Sequence, residues 1–156
     1  NNKIKILDTR KTLPTFRDLQ KYAVKCGGGF NHRMNLQDLI LIKDNHISAC
    51  GGIKNALQKT INRNLPVEIE CDNFAQVSEA IIFKPNFIML DNMSINEVNQ
   101  SIQLIRKLSP ATKIEVSGGI NLGNIKNYSS LDIDFISIGS LTNSFANVDI
   151  GLDFIK

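Results

Sequence analysis

Short apolar runs recur along this chain of 156 residues, and each of them ends abruptly in polar residues or glycines. Four such ends lie at Glu70, Asp91, Ser117 and Gly139, at intervals of 21, 26 and 22 residues. An interval of that length accommodates one strand, one loop and one helix, and right-handed crossovers between such units produce a parallel sheet. The recurrence therefore predicts an α/β fold, and no other feature of the sequence restricts the fold as much.

Helical periodicity between the apolar runs supports this interpretation. Ser94 and Glu97 have capping-box spacing ahead of apolar residues that step by three and four, and Thr15 and Asp18 have the same spacing. We therefore predict that a helix begins at each place. A closed eightfold barrel needs at least about 200 residues, so we predict an open or incomplete α/β barrel. A flat, doubly wound sheet is the alternative, although its GxGxxG fingerprint is absent. About seven parallel strands are predicted, over residues 3–7, 24–26, 39–42, 66–70, 87–90, 114–116 and 135–138.

The composition is that of a single globular domain spanning residues 1–156. The net charge of +3 is small and no basic stripe with interleaved aromatic residues is present, so the sequence does not predict nucleic-acid binding. No apolar run approaches the roughly 18 residues of a membrane span. Three cysteines without CxxC spacing favour free thiols in a reducing cytoplasm over a disulfide framework or a zinc site. We therefore expect a cytoplasmic protein without a membrane partner, and a fragment, because the chain opens on Asn rather than Met.

Polar groups that follow the predicted strands indicate a ligand site. The carboxyl ends of parallel strands converge on one face, where sites form in both candidate architectures. Glu70 and Asp91 end successive strands, so their carboxylates should be neighbours. Paired carboxylates beside a phosphate site hold sugar hydroxyls, a magnesium ion or a proton to be moved. Five cationic or hydrogen-bond-donating groups on the same face indicate a polyanionic ligand. They are Arg10, Lys11, His32, Arg33 and Lys43.

Two glycine-containing loops follow the last predicted strands, Ser117-Gly118-Gly119 and Gly139-Ser140. Glycines let the main chain approach an anion so that backbone N–H groups bond to it directly. In barrels, the loops after the last strands are a common phosphate site. Each loop alone is also compatible with a simple tight turn. Together with the cations and carboxylates, they indicate a phosphorylated sugar that reacts with an acid.

Seven runs of the sequence resemble the quinolinate phosphoribosyltransferase family, in one unbroken order from Ile6 to Leu152. The resemblance implies a type II phosphoribosyltransferase barrel, in agreement with the predicted strands. It also implies a transferase that converts quinolinate and phosphoribosyl pyrophosphate, with Mg²⁺, into nicotinate mononucleotide, pyrophosphate and carbon dioxide in NAD biosynthesis. The runs are LDTRKT, VKCGGGFNHR, LILIKDNHI, VEIEC, IMLDNMS, IEVSGGI and ISIGSLT.

The resemblance implies a role for each candidate residue, motif by motif. The catalytic residues that it implies are Lys11, Lys43, Glu70 and Asp91. The two carboxylates of quinolinate would be held by Arg10, His32, Arg33 and Lys43, while Lys11 would reach towards substrate or pyrophosphate. Glu70 and Asp91 would contact the ribose hydroxyls and a substrate-bound magnesium ion. The 5-phosphate would be held by Ser117, Gly118, Gly119 and Gly139.

Members of this family also carry an amino-terminal α/β domain, which packs on the barrel of a neighbouring subunit and lends it an arginine. That domain is not in this sequence. The resemblance therefore implies a homodimer or higher homo-oligomer with a shared active site. We expect this chain alone to fold, to bind phosphate and to self-associate, but to turn quinolinate over poorly.

The sequence departs from the family pattern in two places. Leu13-Pro14-Thr15 stands where Thr-Pro-Gly is common, and Asn143 stands where bacterial members often have a histidine. Three alternative functions stay open at this point. They are a phosphoribosyltransferase for a different acid, a barrel that binds phosphate without turnover, and a Schiff-base lyase that uses Lys43.

Overall fold

The computed structural model describes residues 4–154, in which six strands alternate with helices. The strands are β1 Lys5–Leu7, β2 Ile40–Ile42, β3 Val67–Cys71, β4 Phe87–Asp91, β5 Lys113–Ser117 and β6 Phe135–Ser137. The helices are α1 Arg17–Cys26, α2 Asp44–Cys50, α3 Ile53–Gln58, α4 Phe74–Ala80, α5 Ile95–Leu108 and α6 Ser140–Asn143. No helix in this part of the chain is both long and apolar enough to cross a membrane.

All six strands are parallel and lie in the order β1-β6-β5-β4-β3-β2. The consecutive strands β1 and β2 therefore lie at opposite edges, and the sheet is open between them. Phe30 extends the β1 edge by one parallel bridge to Leu7. This arrangement confirms the predicted open α/β architecture and excludes a closed eightfold barrel.

Two details of the prediction are wrong, and both concern the first helix. Residues 24–26 are not a strand but the last turn of α1, so the described sheet has six strands rather than seven. A segment of only three residues, Val24-Lys25-Cys26, fits either structure, and here the helix continues until Gly27 N–H bonds to Ala23 O. The helix also begins at Arg17 without a cap from Thr15, which has a φ of 66°. The side chain of Gln20 instead accepts from Leu13 N–H, which folds the preceding loop over the first turn.

The strands present apolar residues to the helices, and β3 and β5 present polar residues to the interior of the open barrel. In β3, Ile69 and Cys71 are fully buried, and successive side chains of a strand point to opposite faces. Glu68 and Glu70 therefore share the other face, which looks into the barrel. The same alternation in β5 places Glu115 and Ser117 inside. This polar interior is what separates the molecule from an ordinary two-sided apolar sheet.

The helix-facing side of the sheet forms the hydrophobic core. Ile88, Leu90, Ile114 and Val116 are at most 1% exposed, and the apolar faces of the helices cover them. The longest helix, α5, begins at the predicted capping box. Its N-cap residue accepts from Glu97 N–H, and the Glu97 carboxylate accepts from the N-cap N–H in return.

A buried ion pair ties the open edge of the barrel together. Asp8 follows β1 and is fully buried, and its carboxylate pairs with the ammonium group of Lys21 from α1. The same carboxylate accepts from Asn31 Nδ2 and, at 2.9 Å, from His32 N–H. Lys21 Nζ also donates to His32 O at 2.9 Å. One charged pair thus fixes β1, α1 and the segment around His32 relative to one another.

We predict that Lys21→Met destabilises the fold by about 3–5 kcal/mol, because it leaves the Asp8 carboxylate buried without its counter-charge. Urea unfolding followed by circular dichroism measures the loss. The double variant Asp8→Asn/Lys21→Met restores neutrality, so it should lose clearly less stability than the single variant does. Equal losses in the two variants would show that packing, rather than charge, is what Lys21 contributes.

Candidate active site

A cavity of about 280 Å³ opens at the carboxyl ends of the strands, where the sequence predicts a site. Eight of the eleven predicted site residues line it: Arg10, Lys11, His32, Arg33, Lys43, Glu70, Asp91 and Ser117. The three glycines lie at its margin. Gly118 and Gly119 follow Ser117 directly, and a Cβ built on Gly139 would lie 3.7 Å from Lys11 Cδ. Asn143, one of the departures from the family pattern, lies beside Gly139.

Two guanidinium groups at the cavity lack a full set of partners. Arg10 Nε is buried, and no residue among 4–154 accepts a hydrogen bond from it. Arg33 donates from Nη1 to Leu39 O at 3.0 Å. Burial lowers the pKa of Arg33, and the nearby charge of Arg10 lowers it further. Two cations that repel each other across a cavity would be stabilised by an anion between them.

Lys43 is already paired in this structure. It stands at the end of β2, where the apolar run Ile40–Ile42 delivers it to the cavity, and its ammonium group contacts the Glu70 carboxylate. The Lys43 side chain is 42% exposed, so the pair is partly open to solvent. An anionic ligand that binds Lys43 must therefore share it with Glu70 or displace that carboxylate.

The carboxylates predicted to be neighbours do lie together, and a third joins them. Oxygens of Glu70, Asp72 and Asp91 lie within 4.8 Å of one another. Asp72 was not predicted as a site residue. It stands two residues after Glu70 at the end of a strand, and strand alternation would have placed it on the same face. Oxygen ligands in this arrangement suit Mg²⁺, which usually takes one or two carboxylates together with substrate phosphates. Asn92 Nδ2 donates to Asp91 at 2.6 Å and fixes its orientation.

The Gly118–Gly119 turn combines close packing with open backbone donors. A Cβ on Gly118 would lie 2.6 Å from Asn92 N, and its φ is +95°, so no other residue fits there without strain. Gly119 has a φ of +60° and nothing within 4 Å of a Cβ position, so its surroundings are open. No described residue accepts a hydrogen bond from the N–H groups of either glycine, or from those of Gly139 and Ser140. Free N–H groups in adjacent turns are suited to binding an anion.

Two further carboxylates were not predicted as site residues: Glu115 lines the cavity, and Glu68 lies beneath it. Glu68 and Glu115 are each 1% exposed. Nε2 of His32 lies 3.1 Å from Glu68 Oε2 and 3.4 Å from Glu115 Oε2. Burial raises the pKa of Glu68 to about 7, and the charge of Glu115 acts in the same direction. Their positions could have been found from strand alternation, since Glu68 precedes Glu70 by two residues.

The cysteines are not part of the chemistry that this arrangement supports. Cys71 ends β3 next to Glu70, but its thiol is fully buried, and burial raises its pKa to about 12. A thiol held protonated in this way is a poor nucleophile. Cys26 and Cys50 are free thiols that lie away from the cavity lining.

Comparison with known proteins identifies close relatives over nearly the whole chain. The family described as quinolinate phosphoribosyl transferase, C-terminal domain, matches residues 1–153. The nicotinate-nucleotide pyrophosphorylase [carboxylating] of Mycobacterium leprae is 42% identical over 153 residues, which cover 97% of this chain and 54% of that protein. A probable enzyme of the same name from Bacillus subtilis is 43% identical over 157 residues, covering 98% of this chain and 53% of the relative.

A solved structure gives the same result for the fold. The crystal structure of nicotinate-nucleotide pyrophosphorylase from Ehrlichia chaffeensis superposes with a TM-score of 0.90 at 46% identity, covering 97% of this chain and 55% of that one. The chain therefore spans about half the length of the curated relatives that it matches.

Proposed function

Because the chain belongs to the quinolinate phosphoribosyl transferase family, as its C-terminal domain, we propose that it forms the barrel of an enzyme that transfers a phosphoribosyl group to quinolinate. The donor is phosphoribosyl pyrophosphate, and the products are nicotinate mononucleotide, pyrophosphate and carbon dioxide, in NAD biosynthesis. One observation supports this most directly. Two guanidinium groups face a cavity that also contains carboxylates, and the buried Nε of one of them, like the backbone N–H groups at the cavity margin, has no acceptor among residues 4–154.

The acid occupies the cationic half of the cavity in this proposal. Arg10 and Arg33 hold the carboxylates of quinolinate, because a planar guanidinium matches a carboxylate with two parallel hydrogen bonds. Lys43 adds a point charge once its pairing with Glu70 is relaxed. The side chain of His32 lines the cavity on this side. A dicarboxylate removes the repulsion between the two arginines, which a neutral or monoanionic ligand would do less well.

The phosphoribosyl group occupies the other half. The free N–H groups of the turn after Ser117 and of Gly139 bind the 5-phosphate, and Lys11 beside Gly139 reaches towards the pyrophosphate. Glu70 and Asp91 face the ribose hydroxyls. Asp72 is a further candidate on this side, since its carboxylate belongs to the same cluster.

The mechanism follows from this distribution of charge. As pyrophosphate leaves, positive charge develops on the ribose ring, and Glu70 and Asp91 stabilise it electrostatically. The ring nitrogen of quinolinate then attacks the ribose carbon while the arginines keep the acid oriented. Loss of the neighbouring carboxylate as carbon dioxide leaves an electron pair on the ring carbon, which the quaternised ring nitrogen stabilises. That carbon then takes up a proton from water to give nicotinate mononucleotide. A magnesium ion held near Glu70, Asp72 and Asp91 would neutralise charge on the departing pyrophosphate.

Assembly and location are also proposals. Phe16, Leu19 and Tyr22 of α1 are each more than half exposed, and a stretch near the end of the chain exposes further apolar residues. Exposed apolar patches of this kind mark interaction surfaces, which supports a homo-oligomer with a shared active site. Three free thiols support a reducing, cytoplasmic location.

The function is tested by quinolinate-dependent release of pyrophosphate from phosphoribosyl pyrophosphate. We expect slow or no release by this chain alone and clear release when the family's amino-terminal domain is joined to it, because that domain closes the cavity and supplies an arginine. Water in an open cavity weakens each ion pair. Equal rates for the two forms would contradict the shared site. Release by neither form would contradict the proposed reaction.

Replacing Arg33 with Ala should lower the catalytic efficiency for quinolinate by about 30- to 1000-fold, or roughly 2–4 kcal/mol, because a carboxylate loses its charged partner. The affinity for phosphoribosyl pyrophosphate should change much less. Arg33→Lys should fail to restore activity, because a point charge does not replace a two-pronged guanidinium. Arg63→Ala, an exposed arginine on the surface, is the matched control. Similar losses for both substrates would remove Arg33 from the acid site.

Glu70→Gln and Asp91→Asn keep the side-chain shape and remove the charge, so they should lower kcat more than they raise the KM for quinolinate. Steady-state kinetics with each substrate varied in turn separates the two effects. Asp149→Asn, an exposed carboxylate in the last stretch of the chain, serves as the control. Unchanged turnover in both site variants would mean that these carboxylates only pair with their protein neighbours.

A further inference from the structure

Thr142 of α6 has a hydroxyl group that the proposed reaction does not use, although it lies next to the site. The residue is fully buried, and its hydroxyl group donates to Lys11 O at 2.7 Å, with Gly139 O at 3.4 Å as a more distant acceptor. Lys11 belongs to the segment after β1, whereas Gly139 and Thr142 follow β6. The hydroxyl group therefore joins the turn at Gly139 to the loop that carries Arg10 and Lys11.

Gln20 of α1 makes the same connection from a second side. Its Nε2 donates to Thr142 O at 2.7 Å, and its Oε1 accepts from Leu13 N–H at 2.9 Å. Both ends of the amide are thus occupied, one by α6 and the other by the loop. Together with the hydroxyl contact, these hydrogen bonds form what we call the Thr142–Gln20 bridge. It joins residues that are 122 and 131 positions apart in the sequence.

The loop from Arg10 to Leu13 depends on side chains for its shape, because it lies between β1 and α1 and belongs to neither. Arg17 of α1 donates from Nη2 to Arg10 O at 3.3 Å and from Nε to Thr12 Oγ1 at 3.2 Å. Two residues after Leu13, Thr15 has a φ of 66°, a conformation that costs a β-branched residue free energy. Backbone strain of this kind persists only where the surrounding contacts hold it.

Apolar packing between α1 and α6 is incomplete beside the bridge. A cavity of about 460 Å³ is lined by residues of both helices, including Ala23 of α1 and Leu141 of α6. A close-packed interior fixes its parts through their shapes, and a cavity of this size removes that constraint locally. The position of α6 relative to the loop therefore depends on the hydrogen bonds of the bridge.

We propose that Thr142 and Gln20 are positioning residues that tie the turn at Gly139 to the loop and thereby place Arg10 in the acid-binding half of the site. Lys11 is the direct link, because its carbonyl group accepts from Thr142 and its side chain lies beside Gly139. Arg10 is the preceding residue, so the direction of its guanidinium group follows from where the Lys11 backbone is held. The effect on quinolinate rests on the proposed function, whereas the bridge itself does not.

Amide hydrogen exchange, followed by nuclear magnetic resonance, tests the bridge in this chain without any substrate. The probe is Thr12 N–H, which donates to Arg10 O within the loop and contacts neither bridge residue. Thr142→Val and Gln20→Met each remove bridge hydrogen bonds. Each should therefore accelerate exchange at Thr12 by about threefold or more, because the loop opens more often. Gln20 is only partly buried, so its variant gives a result even where the change at Thr142 prevents folding.

The chain offers a matched control for each change. Thr112→Val also removes a buried hydroxyl group, which donates to Pro85 O at 2.8 Å at the amino-terminal end of β5, away from the site. Gln103→Met makes the other change at an exposed position of α5. Neither control should alter exchange at Thr12. Unchanged exchange in both bridge variants, or the same acceleration in the controls, would overturn the proposal.

Kinetics of the active, two-domain form tests whether the bridge matters for the acid. Thr142→Val should lower the catalytic efficiency for quinolinate by about three- to tenfold, the effect of losing one hydrogen bond. Thr142→Ser keeps the hydroxyl group and should restore most of the loss. Thr112→Val should leave the efficiency unchanged, although it too loses a buried hydroxyl group. An equal loss in Thr112→Val would show a general structural role and overturn the positioning role.

Removing Arg10 shows whether the effect passes through that residue. In an Arg10→Ala background, Thr142→Val should change the efficiency for quinolinate by less than about twofold, because changes that act through the same residue are not additive. A loss as large as in the unmodified background would overturn the positioning role. If the two-domain form releases no pyrophosphate at all, the proposed function fails, and amide exchange at Thr12 still decides whether the bridge holds the loop.

Discussion

The ion pair between Asp8 and Lys21 is the contact on which the site depends most. It lies at the open edge of the barrel, where no neighbouring strand pairs with β2 from the β1 side, so backbone hydrogen bonds cannot fix the geometry there. The carboxylate of Asp8 takes over that role by holding α1 and the backbone of His32. Arg10 lies two residues after Asp8 in the chain. Arg33 directly follows His32, whose backbone N–H donates to Asp8. The two arginines therefore face each other because one buried charge pair determines where both segments run.

The composition of the inner face of the sheet is a second consequence of the open barrel. A closed barrel fills its centre with apolar layers, whereas here the inward positions of β3 and β5 carry carboxylates. The contiguous apolar core lies on the helix side of the sheet. Because the core forms on the helix side, the inner face of the sheet is available for ligand-binding side chains. It also explains how two carboxylates, Glu68 and Glu115, are retained at positions where most barrels place branched aliphatic side chains.

The sequence allowed the parallel sheet, the strand ends and the cluster of opposite charges to be predicted, because strand spacing and alternation are local properties of the chain. It did not allow Val24–Cys26 to be assigned correctly, since a segment of three residues fits a helix end as well as a strand. Asp72 and Glu68 were within reach of the alternation argument from Glu70. The contact of Glu68 with His32 was not, because it joins segments that only the folded sheet brings together. The roles of the predicted site residues stay predictions.

The charge balance of the site bears on how it binds its ligands. In and beneath the cavity, five cationic or titratable basic groups stand against six carboxylates, which are Asp38, Glu68, Glu70, Asp72, Asp91 and Glu115. The described residues are thus close to neutral as a group before any ligand enters. In the proposed reaction, a dicarboxylate and a pyrophosphate would add several negative charges, so binding both would require positive charge from elsewhere. We propose that a magnesium ion bound with the pyrophosphate and an arginine from a neighbouring subunit would supply that charge. Under this proposal, the site would be completed by its ligands and by assembly rather than by this barrel alone.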